Sequence, residues 1–183
     1  MNRDYQKIAE ITLKSLSNTS WADISLDEIK KKSRVKSFKT LVKSKKDLLI
    51  KINNYFDHKL FLMSSKIEKS SDKDMIFEII MMRFDILQQH RKGMVSIFKS
   101  FKKKPSQLFF LIPELLESII MMIQYTNIST KGKIGQLKIK GVFLIYVSSF
   151  LIWLKDDSAS LDKTMIALDN YLNQANKILK FVS

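Results

Sequence analysis

The chain contains no cysteine, four glycines, two prolines and two histidines among 183 residues. Without cysteine there are no disulfides, thiolate metal sites or cysteine nucleophiles. The composition suits a reducing compartment, so a cytoplasmic location is expected. So little glycine and proline cannot supply the turns of a β-sandwich or a doubly wound α/β fold, and long helices are expected instead. His58 and His90 have no neighbour at metal-ligand spacing, and no catalytic motif is present. The expectation is therefore no metal, no cofactor and no enzymatic activity. Long apolar runs are few. "LFFLIPELLESIIMMI" (108–123) is interrupted by Glu114 and Glu117, and "GVFLIYVSSFLIWL" (141–154) is about 14 residues. The latter is short of the roughly 20 that cross a bilayer, so both are expected to be buried helices. The opening "MNRDYQKIAEITLKSL" has two acids and no long apolar run, unlike a signal peptide.

What is abundant is apolar residues, at 45%, and positive charge, at a net +14. A basic balance of this size points to an acidic partner, either nucleic acid or an anionic membrane surface. A lysine-rich composition also follows from base composition alone, so the distribution of charge is more informative than its total. Residues 28–51 hold ten cations against Glu28 and Asp47, a net of +8, and the other 159 residues share the remaining +6. The charge is focused on one segment, "IKKKSRVKSFKTLVKSKKDLLIK" (29–51).

Apolar spacing predicts an amphipathic helix over 3–17, a short helix from Leu26, another from about Ser37 to Val42, and a long one after Ser44. Ser25 with Glu28, and Ser44 with Asp47, have the spacing of helix caps. The polar stretch "SSKIEKSSDKD" suggests a domain boundary, dividing the chain into 1–66 and 67–183. Beyond it the pattern predicts helices over 74–89, 91–103, from Pro105 to Tyr125 with a kink or split at Pro113, 133–155, and from Ser158 or Ser160 to about Lys180. No internal repeat and no strand-like alternation of useful length is present.

Two short helices, the second basic, followed by a long helix make a helix-turn-helix plan. The second helix fits the major groove while cations and backbone N–H groups around it hold phosphates. On that plan the DNA-binding residues are Lys32, Arg34, Lys36, Ser37, Lys39, Thr40, Lys43, Lys45 and Lys46. The N-terminus of the next helix also favours an anion.

"ISLDEIKKKSRV" followed by "VKSKKDLLIKINNYFD" resembles the DNA-binding domain of TetR-family transcriptional regulators over about residues 5–60, with Ser44, Lys45, Leu48 and Leu49 matching well. "FEIIMMRFDILQQHRKG", "IPELLESIIMMIQYTNIST" and "VSSFLIWLKDDSASLDKTMIALDNYL" resemble an alphaproteobacterial branch of such proteins. The last two also resemble the C-terminal domain of ubiquinone-biosynthesis lipid-binding proteins of the same fold. Together the resemblance spans nearly the whole chain. It implies an all-α, TetR-like fold, double-stranded DNA as partner, homodimerisation through the last two helices, and an apolar small ligand in the C-terminal body. The alternative it implies is a lipid-binding accessory protein in ubiquinone biosynthesis.

Phe110, Met121, Met122, Phe143, Tyr146, Phe150 and Trp153 are the candidate ligand residues, although core packing is the default for such a stripe. The chain departs from the family in three places. Arg34 replaces the usual turn glycine. Two residues are missing between Val35 and Ser44. Leu41 and Val42 stand where a Tyr and a Phe usually close the reading helix. Glu114 with Glu117 and the turn Asp156–Asp157–Ser158 are expected to be a solvent-facing flank and a helix cap.

Overall fold

The expected helices form in the expected order. The computed structural model describes residues 2–64, 67–101 and 105–182, with 105–107 and 178–182 described for backbone only. Among them are α1 (Arg3–Leu16), α2 (Leu26–Ser33), α3 (Phe38–Leu41), α4 (Lys45–Met63), α5 (Asp72–Gln88), α6 (Arg91–Phe101), a 3-10 helix (Pro105–Leu111), α7 (Ile112–Ile123), α8 (Gly132–Trp153) and α9 (Asp162–Val182). No strand occurs among the described residues. The split expected at Pro113 is real. Proline lacks an N–H and fits only a first helical turn, so the 3-10 segment ends and α7 starts one residue before it. The division after residue 66 and the end of a helix at residue 103 fall outside the described residues, as does the side chain of Ile178.

The chain packs as two compact units, each built from two segments: 1–62 with 85–114, and 63–84 with 115–183. In the first, α1 lies against α2 and α6. Ile8, Leu13, Ile29, Phe38, Leu48, Ile52 and Phe56 are buried at its centre. Gly93 lets α6 approach α1, since a Cβ there would lie 3.1 Å from the Cβ of Leu16. His90 packs edge-on against Tyr55, with ring centroids 5.8 Å apart, and burial holds its imidazole below the usual range. It has an ordinary packing role.

In the second unit α8 and α9 pack together, and Met75, Ile79, Phe84, Ile119 and Met122 are buried. The turn between them is built on Asp156, which is fully buried. Its Oδ2 accepts from Thr164 N and Oγ1, both at 2.8 Å, and its Oδ1 accepts from Ser158 N and Oγ. Burial alone raises this carboxyl, but the four donors outweigh it and lower the pKa from 3.8 to about 2. The expected capping role is therefore borne out, with Asp156 at its centre and Ser158 Oγ also accepting from Asp162 N. Leu161, buried at the start of α9, adopts a left-handed φ of 56°.

The folded-state pKa of Asp156 lies below the unfolded value, so the stabilisation is complete above about pH 4 and lost as pH falls towards 2, for a total of about 2 kcal/mol. Asp156→Asn removes the charge and leaves buried donors short of acceptors, so it should cost about 2–3 kcal/mol at neutral pH. It should also flatten the acid limb of urea-denaturation stability between about pH 4 and 2. An unchanged acid limb would show that Asp156 does not carry it.

The expectation that both apolar runs are buried holds only in part: Phe109 and Ile112 are exposed in the first, and Leu144 and Leu151 in the second, which lies in α8. This helix has 22 residues, and its most apolar 18-residue window has a mean hydropathy of 1.3 with 28% buried. By length and composition alone it could cross a bilayer. The apolar run stops at Gly141, but the helix starts nine residues earlier and takes Ile134, Leu137 and Ile139 with it.

Candidate nucleic-acid interface

The turn between α2 and α3 is made by residues 34–37. Ile29, Val35, Phe38 and Val42 are buried and hold both helices to the first unit. Arg34 caps α2 with φ 51° and ψ 28°, and its N–H donates to Lys30 O at 3.1 Å. The turn thus needs the left-handed conformation that glycine adopts freely, and a side chain there costs about 1 kcal/mol. The residue retained at that cost carries a cation. Arg34 lines a shallow cleft of about 380 Å³ with Asp27, Lys30, Lys31, Val35 and Lys36. Lys30 and Lys31 belong to the basic segment read from sequence but not to the residues expected to bind DNA, and Asp27 was not noted, though 27, 30, 31 and 34 have the spacing of one helix face.

Helix α3 is four residues long, short for a reading helix, as the missing residues foretold. Phe38 points inward, while Lys39 and Thr40 are exposed. Lys31, Lys36, Lys43 and Lys46 are also exposed. Among the described residues the one ion pair in this segment is Lys32 with Glu28. That pairing accompanies a correction. The Ser25–Glu28 capping box does not form, because Ser25 makes no side-chain cap bond and Glu28 faces one turn forward instead. The Ser44–Asp47 cap does form. Asp47 Oδ2 accepts from Lys43 N and Ser44 N at 2.8 Å, and Asp47 N donates to Ser44 Oγ at 3.4 Å. Burial pushes the Asp47 carboxyl up, but these hydrogen bonds and Lys51 bring it below the usual range. The anion at this helix start is therefore the chain's own.

Two other expected DNA-contacting side chains are engaged internally. Ser37 Oγ donates to Asp4 Oδ2 at 2.7 Å. Lys45 Nζ donates to the carbonyls of Trp21 and Ala22, at 3.0 and 2.8 Å, and lies 5.8 Å from the Trp21 ring.

Of the candidate ligand residues, Tyr146 stacks on Phe84 with centroids 5.5 Å apart, Phe150 lies 5.2 Å from Trp153, and Met122 and Trp153 are fully buried. Met121 and Phe143 are half-buried. Phe110 belongs to the first unit, 5.2 Å from Lys46 Nζ. Buried Arg83, whose Nε donates to Tyr146 Oη at 3.0 Å, was missed from sequence. A cation inside "IIMMRFDIL" was the available signal. Glu117 is exposed and Glu114 half-exposed, as a solvent-facing flank. No cluster of potential metal ligands occurs among the described residues.

No protein-family model and no curated protein matches this chain. Among solved structures it is similar to the crystal structure of the TetR transcriptional regulator from Nitrosomonas europaea ATCC 19718. The TM-score is 0.76 and the identity 16%, covering 96% of this chain and 99% of that one. The fold is therefore all-α and TetR-like.

Proposed function

We propose that this protein is a homodimeric, DNA-binding transcriptional regulator of TetR type, whose second unit takes an apolar small ligand. The observation that supports the reading is the exposed basic segment on α2, the turn and α3, in which Lys32–Glu28 is the one ion pair among the described residues, within a chain of TetR-like fold. Cations held there, of which only Lys32 is ion-paired among the described residues, suit a double-stranded polyanion.

Dimerisation through α8 and α9 is supported by a stripe on α8. Ile134, Leu137, Leu144 and Leu151 are exposed, the three leucines spaced by seven. Gly141 and Ser148 fall between them at the same helical spacing. A Cβ at Gly141 would meet nothing within 4 Å, so packing within the chain does not require glycine there. Close approach of a second helix would. Met165 and Ile166 of α9 are exposed as well.

Selection of bound sequences from a random duplex pool tests this function. The expected result is an enriched motif with two related half-sites, since a two-fold dimer reads two-fold DNA. A pool that stays unenriched would remove sequence-specific regulation, and failure to retain any duplex would remove DNA binding.

A further inference from the structure

The residues before α2 and after α3 are fastened to each other. Lys45, the first residue of α4, reaches back 23 and 24 positions to the carbonyls of Ala22 and Trp21. These lie in the loop that leads into α2. The same Trp21 is 4% exposed, and its N–H donates to Ser96 Oγ on α6 at 2.8 Å. One loop is therefore held from α4 by an ammonium and from α6 by a hydroxyl. The segment enclosed between these anchor points carries seven of the ten cations of residues 28–51, against Asp23, Asp27 and Glu28, and like charges there repel.

We propose that Lys45 is a positioning residue rather than a phosphate ligand: its ammonium clasps the two ends of the α2–turn–α3 segment and holds the cations of that segment in the arrangement that meets DNA. An ammonium has three donors. Two are spent on carbonyls, and its charge also faces the Trp21 ring, so little remains to offer outward. Ser96 extends the clasp to α6 through the Trp21 backbone. This inference rests on the DNA-binding reading above.

The test is fluorescence anisotropy on a random-sequence duplex across a salt series, with Lys45→Met, Lys45→Arg and Ser96→Ala. Methionine keeps the stem and removes the donors. Lys45→Met is expected to weaken binding about fivefold to tenfold with an unchanged log–log salt slope, Lys45→Arg to restore most of the affinity, and Ser96→Ala to follow Lys45→Met in sign. A slope lower by about 0.9 in Lys45→Met would make Lys45 a phosphate contact and overturn the proposal. Unchanged affinity in Lys45→Met would overturn it too. If the parent protein binds no duplex, the DNA reading fails separately. The clasp is then read from hydrogen exchange, where Lys45→Met should accelerate the amides of residues 21–33, and equal protection would sink it.

Discussion

Changing Lys36, Lys39 and Lys43 together to alanine lowers the slope of log affinity for duplex DNA against log salt by about 2.7 for each bound protomer, at about 0.9 per lost phosphate contact. All three side chains are exposed and none is in an ion pair among the described residues. They are therefore free to displace counterions, which is what the slope counts. If parent and variant affinities converge near 1 M salt, a slope change of that size corresponds to a loss of roughly several hundredfold near 0.1 M. Folding should be little affected, because the three side chains are exposed and alanine at 43 keeps the backbone N–H that donates to Asp47, so the change should stay within about 0.5 kcal/mol. Changing Lys14, Lys99 and Lys163, also exposed but outside this segment, is the control and should leave the slope nearly unchanged. Equal slope losses in the two triple variants would mean that binding follows total charge and not its location.

How much of this was legible depended on how local the physics was. The Ser44–Asp47 cap and the Pro113 split are written within a few residues, and both form. The Ser25–Glu28 box has the same spacing and does not form, because Lys32 one turn later offers Glu28 a charged partner. The demand for a left-handed residue at Arg34 was foreseeable from the glycine that usually stands there. The roles of Ser37 and Lys45 were not. Their partners are 33 and 23–24 residues away, and for Lys45 they are backbone carbonyls, which leave no mark in a side-chain pattern. Phe110 was grouped with the second unit's aromatic residues because composition cannot say which unit a ring joins. Arg83 was overlooked because a lone cation in an apolar helix is usually assigned to an exposed face. Here Tyr146 receives its Nε–H inside the unit.

The apolar stripe of α8 leads to the second large effect. Leu144 lies at the centre of the exposed series Leu137, Leu144 and Leu151, and is 63% exposed in the isolated chain. A side chain so placed contributes little to folding of one copy, and a lysine there can extend into water. In a two-fold dimer the same position is buried from both sides, and every substitution counts twice. Loss of about 2 kcal/mol of apolar burial per copy gives about 4 kcal/mol per dimer for Leu144→Lys, before the cost of bringing two ammonium groups together. That is on the order of a thousandfold in the dimer dissociation constant. Sedimentation equilibrium should show the parent as a dimer and the variant as a monomer with unchanged helical circular dichroism. Duplex binding should then fall with it, because one protomer engages half the phosphates and the salt slope should drop to about half. A variant that remains dimeric would place the partner-binding surface away from this stripe. A parent that is monomeric at micromolar concentration would leave the exposed face of α8, which has the length and hydropathy of a bilayer-crossing helix, to a different apolar partner.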